Sequence, residues 1–344
     1  MDDKELRAVV ASAVRAPSVH NTQPWRFVGR VGDDDRVEAI EVLADPARML
    51  EVIDPSGREM HLSCGAVVEF ARIATRARGE ACEVVLFPEQ GRSDLLARIE
   101  LRDKKPALPE EQRLYRAVEA RYTERGRFDE RPVPEDLREA MRDGATLFGA
   151  WVQFLDRPGD QVTTAVLLAH ADEIEVMNPL YQRELAAWVH EEPRAGGDHP
   201  DGIPASALPD GPVRERGSSF RLRDFTPKES QSERPPHGEE PPVAEHPLVM
   251  ILGTPEDDPR AWLLAGQALA RILLTAAAEG LAASPMTQVL EVASTRAQLA
   301  GRLGLVGYPQ IVLRMGYAHG WPTTQRRPVE EVLTSSHKGS ENSH

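Results

Sequence analysis

In the first hundred residues, the spacing of apolar side chains changes between the period of a helix and the period of a strand. Four apolar residues at helical spacing predict an amphipathic helix near the start, and Pro17 stops it. A second predicted helix is apolar on most sides, which is typical of a helix at the centre of a protein. In chain order we predict a helix at 3–16, a hairpin of strands at 26–29 and 37–43, a buried helix from the turn at 54–57 to about Arg78, a strand at 82–87 and a polar helix from about Ser93.

A connection punctuated by Pro106 and Pro109 separates these elements from the remainder, so we predict one half at 1–105 and a second at 106–344. Between 191 and 247 the pattern loses any period, which indicates either a functional lid or a disordered segment. The second half otherwise predicts a helix ending near Arg121, a helix at 135–142, a strand at 151–155, one long or two shorter helices at 162–188, a strand at 248–253, an almost wholly apolar helix at 260–280, a helix near 294–302 and a strand at 309–315.

The order of elements occurs twice. The buried helices at 63–79 and 265–280 are both rich in alanine, both end at a glycine and both precede a β-prone run. Two α+β units of similar size could produce such a similarity by chance. If the similarity is real, the fold class is α+β with one unit duplicated inside the chain.

The bulk composition excludes several classes of protein. A formal net charge of −14 opposes nucleic-acid binding, and no apolar run of the length of a membrane helix is apparent. Met1 is followed by Asp-Asp-Lys, which is not a signal peptide, so we expect a cytoplasmic protein. Cys64 and Cys82 form no disulfide framework, and the ten histidines have no metal-ligand spacing. Loops typical of dinucleotide-binding, nucleotide triphosphate-binding and serine hydrolase sites are also missing from the sequence.

The run APSVHNTQPW at 16–25 has the composition of a binding loop. It combines small polar side chains, an amide and a histidine, which suit hydrogen bonding by an ordered loop. The ordinary alternative is a helix end followed by a turn, since Pro17, Asn21 and Pro24 are common there.

Arginines at useful spacing are the second candidate for chemistry. In the run RYTER, an extended backbone would place Arg121, Thr123 and Arg125 on one face, where they suit an anionic phosphate. Arg326 and Arg327 could add positive charge, although solvated surface arginines are the ordinary interpretation of that pair. The stretch 283–288 follows an apolar helix and is either a loop that approaches a planar ring or a turn between helices.

These runs resemble, in order, the sequence blocks of the Acg family of nitroreductase-like flavoproteins. The most recognisable block is APSxxNTQPW, and the others are LADPARMLEVIDPSGREMHLSCGA at 43–66, RYTERGRF at 121–128, GLAASPMTQ at 280–288 and GYPQIVLRMGY with RRPVEEVL within 307–333. The resemblance spans nearly the whole chain. It implies a nitroreductase-like fold duplicated to form a pseudo-dimer, with a long lid insertion at about 191–247 in the second half.

The resemblance also implies one FMN site between the halves and no catalytic side chain, because the flavin N5 carries the hydride. No metal is implied, and the mirror-image site would be empty. The residues that the resemblance assigns to FMN are Pro17, Ser18, Asn21 and Gln23 from the first half, and Arg121, Thr123, Arg125, Ser284, Pro285, Met286, Arg326 and Arg327 from the second.

Two functions follow from this resemblance. The first is an oxidoreductase that takes hydride from NAD(P)H as a transient reductant and reduces a small-molecule acceptor. The alternative is a protein that sequesters FMN under the lid with little turnover. In either case we expect a monomeric pseudo-dimer or a weak homodimer, with neither a nucleic-acid nor a membrane partner.

Overall fold

Two long helices pack against each other at the centre of the protein, and each carries a β-sheet. The computed structural model describes residues 1–190, 200–204, 207, 247–318 and 324–337. The two central helices are α2 (Arg58–Ala77) and α7 (Pro259–Ala278), and both are 20 residues long. Fourteen or more residues of each are buried, which explains why both read as apolar on most sides.

The first sheet packs on α2 and is built mainly from the first hundred residues. Its strand order is β11-β1-β2-β4-β3, and every pair except β11 with β1 is antiparallel. Asp2 and Glu5 form a capping box that starts the first helix, whose apolar face lies in the same core. The elements of this part are α1 (Asp3–Ala13), β1 (Trp25–Val31), β2 (Val37–Ala44), β3 (Glu80–Leu86), β4 (Leu95–Lys104) and α3 (Pro109–Ala120), with short 3₁₀ turns at Val19–Asn21 and Pro46–Arg48.

The second sheet packs on α7 and is antiparallel throughout, with the order β5-β8-β10-β9. A short parallel pair, β6 with β7, lies apart from both large sheets. The elements are α4 (Glu135–Thr146), β5 (Trp151–Phe154), α5 (Pro158–Met177), α6 (Pro179–Ala187), β6 (Val189–His190), β7 (Ile203–Pro204), β8 (Leu248–Thr254), β9 (Leu281–Pro285), α8 (Gln288–Glu291), α9 (Ala293–Leu303), β10 (Tyr308–Tyr317), α10 (Val329–Val332) and β11 (Leu333–His337).

The central helices approach each other at one glycine from each. A Cβ added to Gly65 would lie 2.1 Å from the carbonyl oxygen of Leu263, and one added to Gly266 would lie 2.1 Å from that of Leu62. A side chain at either position would clash with the backbone of the opposite helix, so both positions require glycine and the contact is reciprocal. This close approach lets α2 and α7 bury their small residues against each other.

The last strand described crosses back to the first sheet. β11 lies parallel to β1, with Phe27 opposite Leu333 and Val28 opposite Thr334. The segment 324–337 therefore runs along the first half of the chain, although it follows the second sheet in sequence.

Most predicted elements are confirmed, and two are wrong. The polar helix expected from Ser93 is the strand β4, and residues 283–285 complete the strand β9 instead of forming a loop. The interval 162–188 holds two helices, separated at Asn178. Most of the interval predicted as a lid lies outside the described residues, apart from 200–204, 207 and 247.

Helix α7 has the length and apolar composition of a membrane span, contrary to the expectation that no run reaches them. Most of it is buried inside the protein, because it packs between α2, α3, α4 and the second sheet. Its composition is therefore that of a core helix.

Candidate functional site

The loop between α1 and β1 has a constrained backbone. His20, Asn21 and Gln23 have φ values of 45°, 57° and 49°, in the left-handed region that residues other than glycine seldom adopt. Ser18 Oγ accepts a hydrogen bond from the Gln23 N–H at 2.9 Å, and Ser63 Oγ on α2 accepts one from the Val19 N–H at 3.1 Å. Strain of this kind persists where surrounding contacts hold it, and it concentrates at functional sites.

The run RYTER is extended, as predicted, and lies beside β9. Thr123 forms an isolated parallel bridge with Ala283, and the Glu124 N–H donates to the Ala283 carbonyl at 3.0 Å. The fully buried Arg314 on β10 donates from Nη2 to the Gly126 carbonyl at 2.6 Å and fixes the end of the run. Two of the predicted site segments, 121–125 and 284–286, are thereby adjacent.

Four arginines from three parts of the chain lie close together, and we refer to Arg15, Arg121, Arg125 and Arg326 as the arginine cluster. Arg121 is 7% exposed, and its Nη2 donates to the Arg15 carbonyl at 2.8 Å. Burial, with smaller contributions from Arg15 and Arg125, lowers the pKa of Arg121 to about 10. Burial also lowers the pKa of Arg125 to about 10. Burial first, and then repulsion from the other three arginines, lowers the pKa of Arg326 well below its usual value.

The four arginines of the cluster outnumber the acidic groups near them, since Glu124 is the one carboxylate among the described residues that raises the pKa of a member, Arg125, against the larger effect of burial. None of its members forms an ion pair there, and the buried Nε atoms of Arg121 and Arg326 have no hydrogen-bond partner. The neighbouring Glu124 accepts from the Gly126 N–H instead. Gathering desolvated cations costs free energy unless an anion joins them, so the cluster has the chemistry of a phosphate site.

Arg327 points to a different set of partners from its neighbour Arg326. Its Nη1 lies 3.7 Å from Asp45 Oδ2, and its Nε lies 3.4 Å from Glu331 Oε2. Burial and the nearby Arg48 lower the pKa of Arg327. The terminal pair therefore divides, with Arg326 in the arginine cluster and Arg327 in ion pairs.

The motif amides of the loop are engaged with distant backbone. Asn21 Nδ2 donates to the Gly202 carbonyl at 2.9 Å and to the Gln325 carbonyl at 3.2 Å. Gln23 Nε2 donates to the Pro200 carbonyl at 2.8 Å, and Gln23 Oε1 accepts from the Arg327 N–H at 2.8 Å. These two side chains bring the loop, the segment 200–202 and the segment 325–327 together.

The residues at the end of β9 differ in how exposed their side chains are. Ser284 is buried, Pro285 is exposed, and the Met286 side chain lies in an apolar core with Val289 and Val312. The Met286 N–H donates to the Val312 carbonyl at 2.8 Å, so that amide is occupied. Pro285, at the end of β9, is therefore the exposed residue among these three.

The structure brings most of the sequence-predicted residues into one region. Pro17 and Ser18 belong to the loop next to Arg15, and Thr123 joins the arginine run to β9. Arg15 itself was missed by the sequence analysis, although it directly precedes the motif at 16–25 and could have been noticed as its first charged neighbour. Within the described part of the chain, no group of three His, Cys, Asp or Glu side chains could hold a metal ion.

Comparison with known proteins identifies related chains. The model of the Nitroreductase family matches residues 118–319. A Mycobacterium tuberculosis protein named "Putative NAD(P)H nitroreductase Rv3131" is 34% identical over 348 residues, which cover 96% of this chain and 92% of the relative. A second protein of that species, "Putative NAD(P)H nitroreductase acg", is 30% identical over 336 residues, which cover 95% of each chain.

One solved structure that covers most of the chain supports a nitroreductase-like α+β fold. A crystal structure of a protein named "putative nitroreductase" from Anabaena variabilis has a TM-score of 0.50 at 10% identity and covers 92% of this chain and 88% of that one. An FMN-dependent nitroreductase of Mycobacterium smegmatis, solved in complex with NADPH, has a TM-score of 0.40 at 18% identity over 65% of this chain and 98% of that one. From the family match and the relatives that align over almost its full length, this chain belongs to the nitroreductase family and is an Acg-like member of it.

Proposed function

We propose that this protein binds FMN and works as an NAD(P)H-dependent oxidoreductase that reduces a small acceptor. The observation that carries the proposal is the arginine cluster, whose four guanidinium groups are buried or half-buried and form no ion pair among the described residues. A phosphate monoester with about two negative charges at neutral pH matches four guanidinium groups. The names of the mycobacterial relatives, which describe NAD(P)H nitroreductases, support the choice of reductant.

The chain's own residues bind and orient the cofactor in this proposal. Under it the arginine cluster would hold the phosphate, and the loop at 17–23 and the end of β9 would contact the ring, because Arg121 bonds to the Arg15 carbonyl beside that loop and Thr123 pairs with Ala283 on β9. Bound FMN supplies the redox chemistry, accepting a hydride at N5 and passing two electrons to the acceptor. No side chain needs to act as a general acid or base, so the protein contributes position, charge and exclusion of water.

We also propose that the site lies between two copies of one duplicated unit. The strands flanking α2 are ordered β1-β2-β4-β3, and those flanking α7 are ordered β5-β8-β10-β9, which is the same order by position in each unit. The reciprocal contact of Gly65 and Gly266 is what a two-fold relation between the units would produce.

The second copy of the site is reduced. Residues 14–24 form the long loop between α1 and β1, whereas residues 147–150 alone connect α4 to β5. A chain with one long loop and one arginine cluster therefore binds a single FMN under this proposal. The expected cytoplasmic location agrees with such a function and stays a prediction.

Sequestration of FMN is the second candidate, and one contact favours it. The described segment 200–204 of the insertion is attached to the binding loop through Asn21 and Gln23, and Asp201 Oδ2 lies 2.6 Å from Arg48 Nη1. A segment fastened across the loop would restrict access to the ring.

Anaerobic reduction separates the two candidates. Flavin-loaded protein is mixed with NADPH without oxygen, and the visible absorbance of the flavin is followed in time. An oxidoreductase loses that absorbance within the mixing period and regains it when an acceptor such as a nitroaromatic or a quinone is added. Persistent absorbance in the presence of NADPH would favour sequestration, and Asp201→Asn, which removes the ion pair to Arg48, would then be expected to speed reduction.

A further inference from the structure

Gln23 uses every hydrogen-bonding atom of its side-chain amide on backbone groups. It is fully buried, and its Nε2 donates to the Pro200 carbonyl and, at 3.4 Å, to the Asn21 carbonyl. Its Oε1 accepts from the Arg327 N–H, the amide that directly follows Arg326. The sequence resemblance places this residue at the flavin, but its amide is occupied by the protein itself.

The backbone around Arg326 is fastened on both sides by this loop. Gln23 holds the N–H of residue 327, and Asn21 holds the carbonyl of residue 325. The Arg326 guanidinium folds over this stretch, since its Nη1 donates to the carbonyls of Thr324 and Gln325 at 3.0 and 2.9 Å. Residues 324–328 belong to no helix or strand, so side-chain contacts have to fix their place.

A force also acts against this arrangement. Arg326 lies close enough to Arg15, Arg121 and Arg125 for their charges to disfavour its own. Without an anion, the repulsion would move a segment that has no ladder of backbone hydrogen bonds. A restraint from outside the segment is therefore needed to keep the guanidinium ready for a phosphate.

We infer that Gln23 is a positioning residue that holds Arg326 in the arginine cluster. Asn21 is a second residue that attaches the same segment to the loop. The inference rests on the proposed FMN site and assigns the Gln23 amide and the Asn21 amide nitrogen to the phosphate arginine instead of the flavin ring. Their effect should then depend on the phosphate of the ligand, because riboflavin has the same ring and no phosphate.

The test compares the dissociation constants of FMN and riboflavin, measured by flavin fluorescence on protein freed of flavin. Wild-type protein is expected to prefer FMN. Gln23→Met keeps the length of the side chain and removes both amide atoms, and we expect the preference for FMN to fall about five- to thirtyfold. Gln23→Met also removes the hydrogen bond to the insertion at Pro200. Asp201→Asn removes another contact of the same part of the insertion and is the control, so it should leave the preference for FMN over riboflavin unchanged.

A double-mutant cycle with Arg326→Ala separates positioning from general damage. If Gln23 acts through Arg326, then Arg326→Ala lowers the preference much less in Gln23→Met than in wild-type protein. An unchanged preference in Gln23→Met, or two effects that multiply independently, would overturn the inference.

A second variant covers the case in which Gln23→Met does not fold. Asn21→Gly suits the positive φ at that position and removes the donor to the Gln325 carbonyl. It should lower the preference for FMN in the same direction, and an unchanged preference would overturn the inference. A wild-type protein that binds both flavins equally, or neither, would instead overturn the proposed function.

Discussion

Arg121 is a buried cation whose nearest charged neighbours are cations, and this gives it a distinctive pair of expected effects. Arg121→Ala should weaken FMN binding about ten- to hundredfold, since a charge-assisted hydrogen bond contributes about 1.5 to 3 kcal/mol. The same change should raise the melting temperature of the flavin-free protein, because it removes a desolvated charge that lowers the pKa of Arg326 by repulsion.

Arg116→Ala is the matched control for this prediction. Arg116 is an exposed arginine on α3, so the variant has the same change in net charge without a change in the arginine cluster. Titration with FMN and thermal unfolding without flavin check both effects. Equal losses of affinity in the two variants would show that Arg121 acts only through the overall charge.

Single residues also show how far the sequence could be interpreted. Alternation in RYTER predicts Arg121, Thr123 and Arg125 on one face if the run is extended, because side chains two apart share a face in extended backbone. Arg15 directly precedes the motif at 16–25, but its position alone assigns it no role, since a basic residue just after a helix is ordinary there. The partners of Asn21 and Gln23 lie 181 and 304 residues away, and no local pattern records such distances.

The crossing of α2 and α7 depends on the absence of side chains at one point. Gly266→Ala should lower the free energy of unfolding by about 1 to 3 kcal/mol, because its Cβ would meet the Leu62 carbonyl and backbone cannot yield as a flexible side chain does. Gly301→Ala, in the exposed helix α9 with open space at its Cβ, should instead stabilise the protein by about 0.5 to 1 kcal/mol. Urea unfolding of flavin-free protein measures both. A neutral Gly266→Ala would mean that the two helices can separate slightly without loss.

At the scale of the elements, strand β4 shows where helix propensity predicts the wrong structure. Its sequence LLARIELRDK is made of strong helix formers, which favoured a polar helix. From Ala97 to Arg102 apolar and polar residues alternate, with Ala97 and Ile99 buried and Arg98 paired to Glu41 across the sheet. The spacing of apolar residues was a better guide than helix propensity here, since β4 lies between two strands that hydrogen-bond to its backbone.

For the molecule as a whole, we predict one FMN per chain. The long loop and the arginine cluster occur once in the described structure, and the corresponding connection at 147–150 is too short to form a second loop. Flavin released by denaturation and counted against protein concentration should give a ratio near one, with the protein sedimenting as a monomer or a weak dimer. A ratio near two would mean that the second position binds flavin through residues other than those named.

The parallel pairing of β11 with β1 orders events during synthesis of the protein. Thr334 and Phe27 are 307 residues apart, so the ribosome makes β1 long before its neighbour in the sheet. Until then, the edge of β1 that pairs with β11 is free, and Arg326 is missing from the arginine cluster that we propose as the phosphate site. A nascent chain therefore cannot complete its first sheet or capture FMN with full affinity, and cofactor loading becomes an event that follows translation of residue 337.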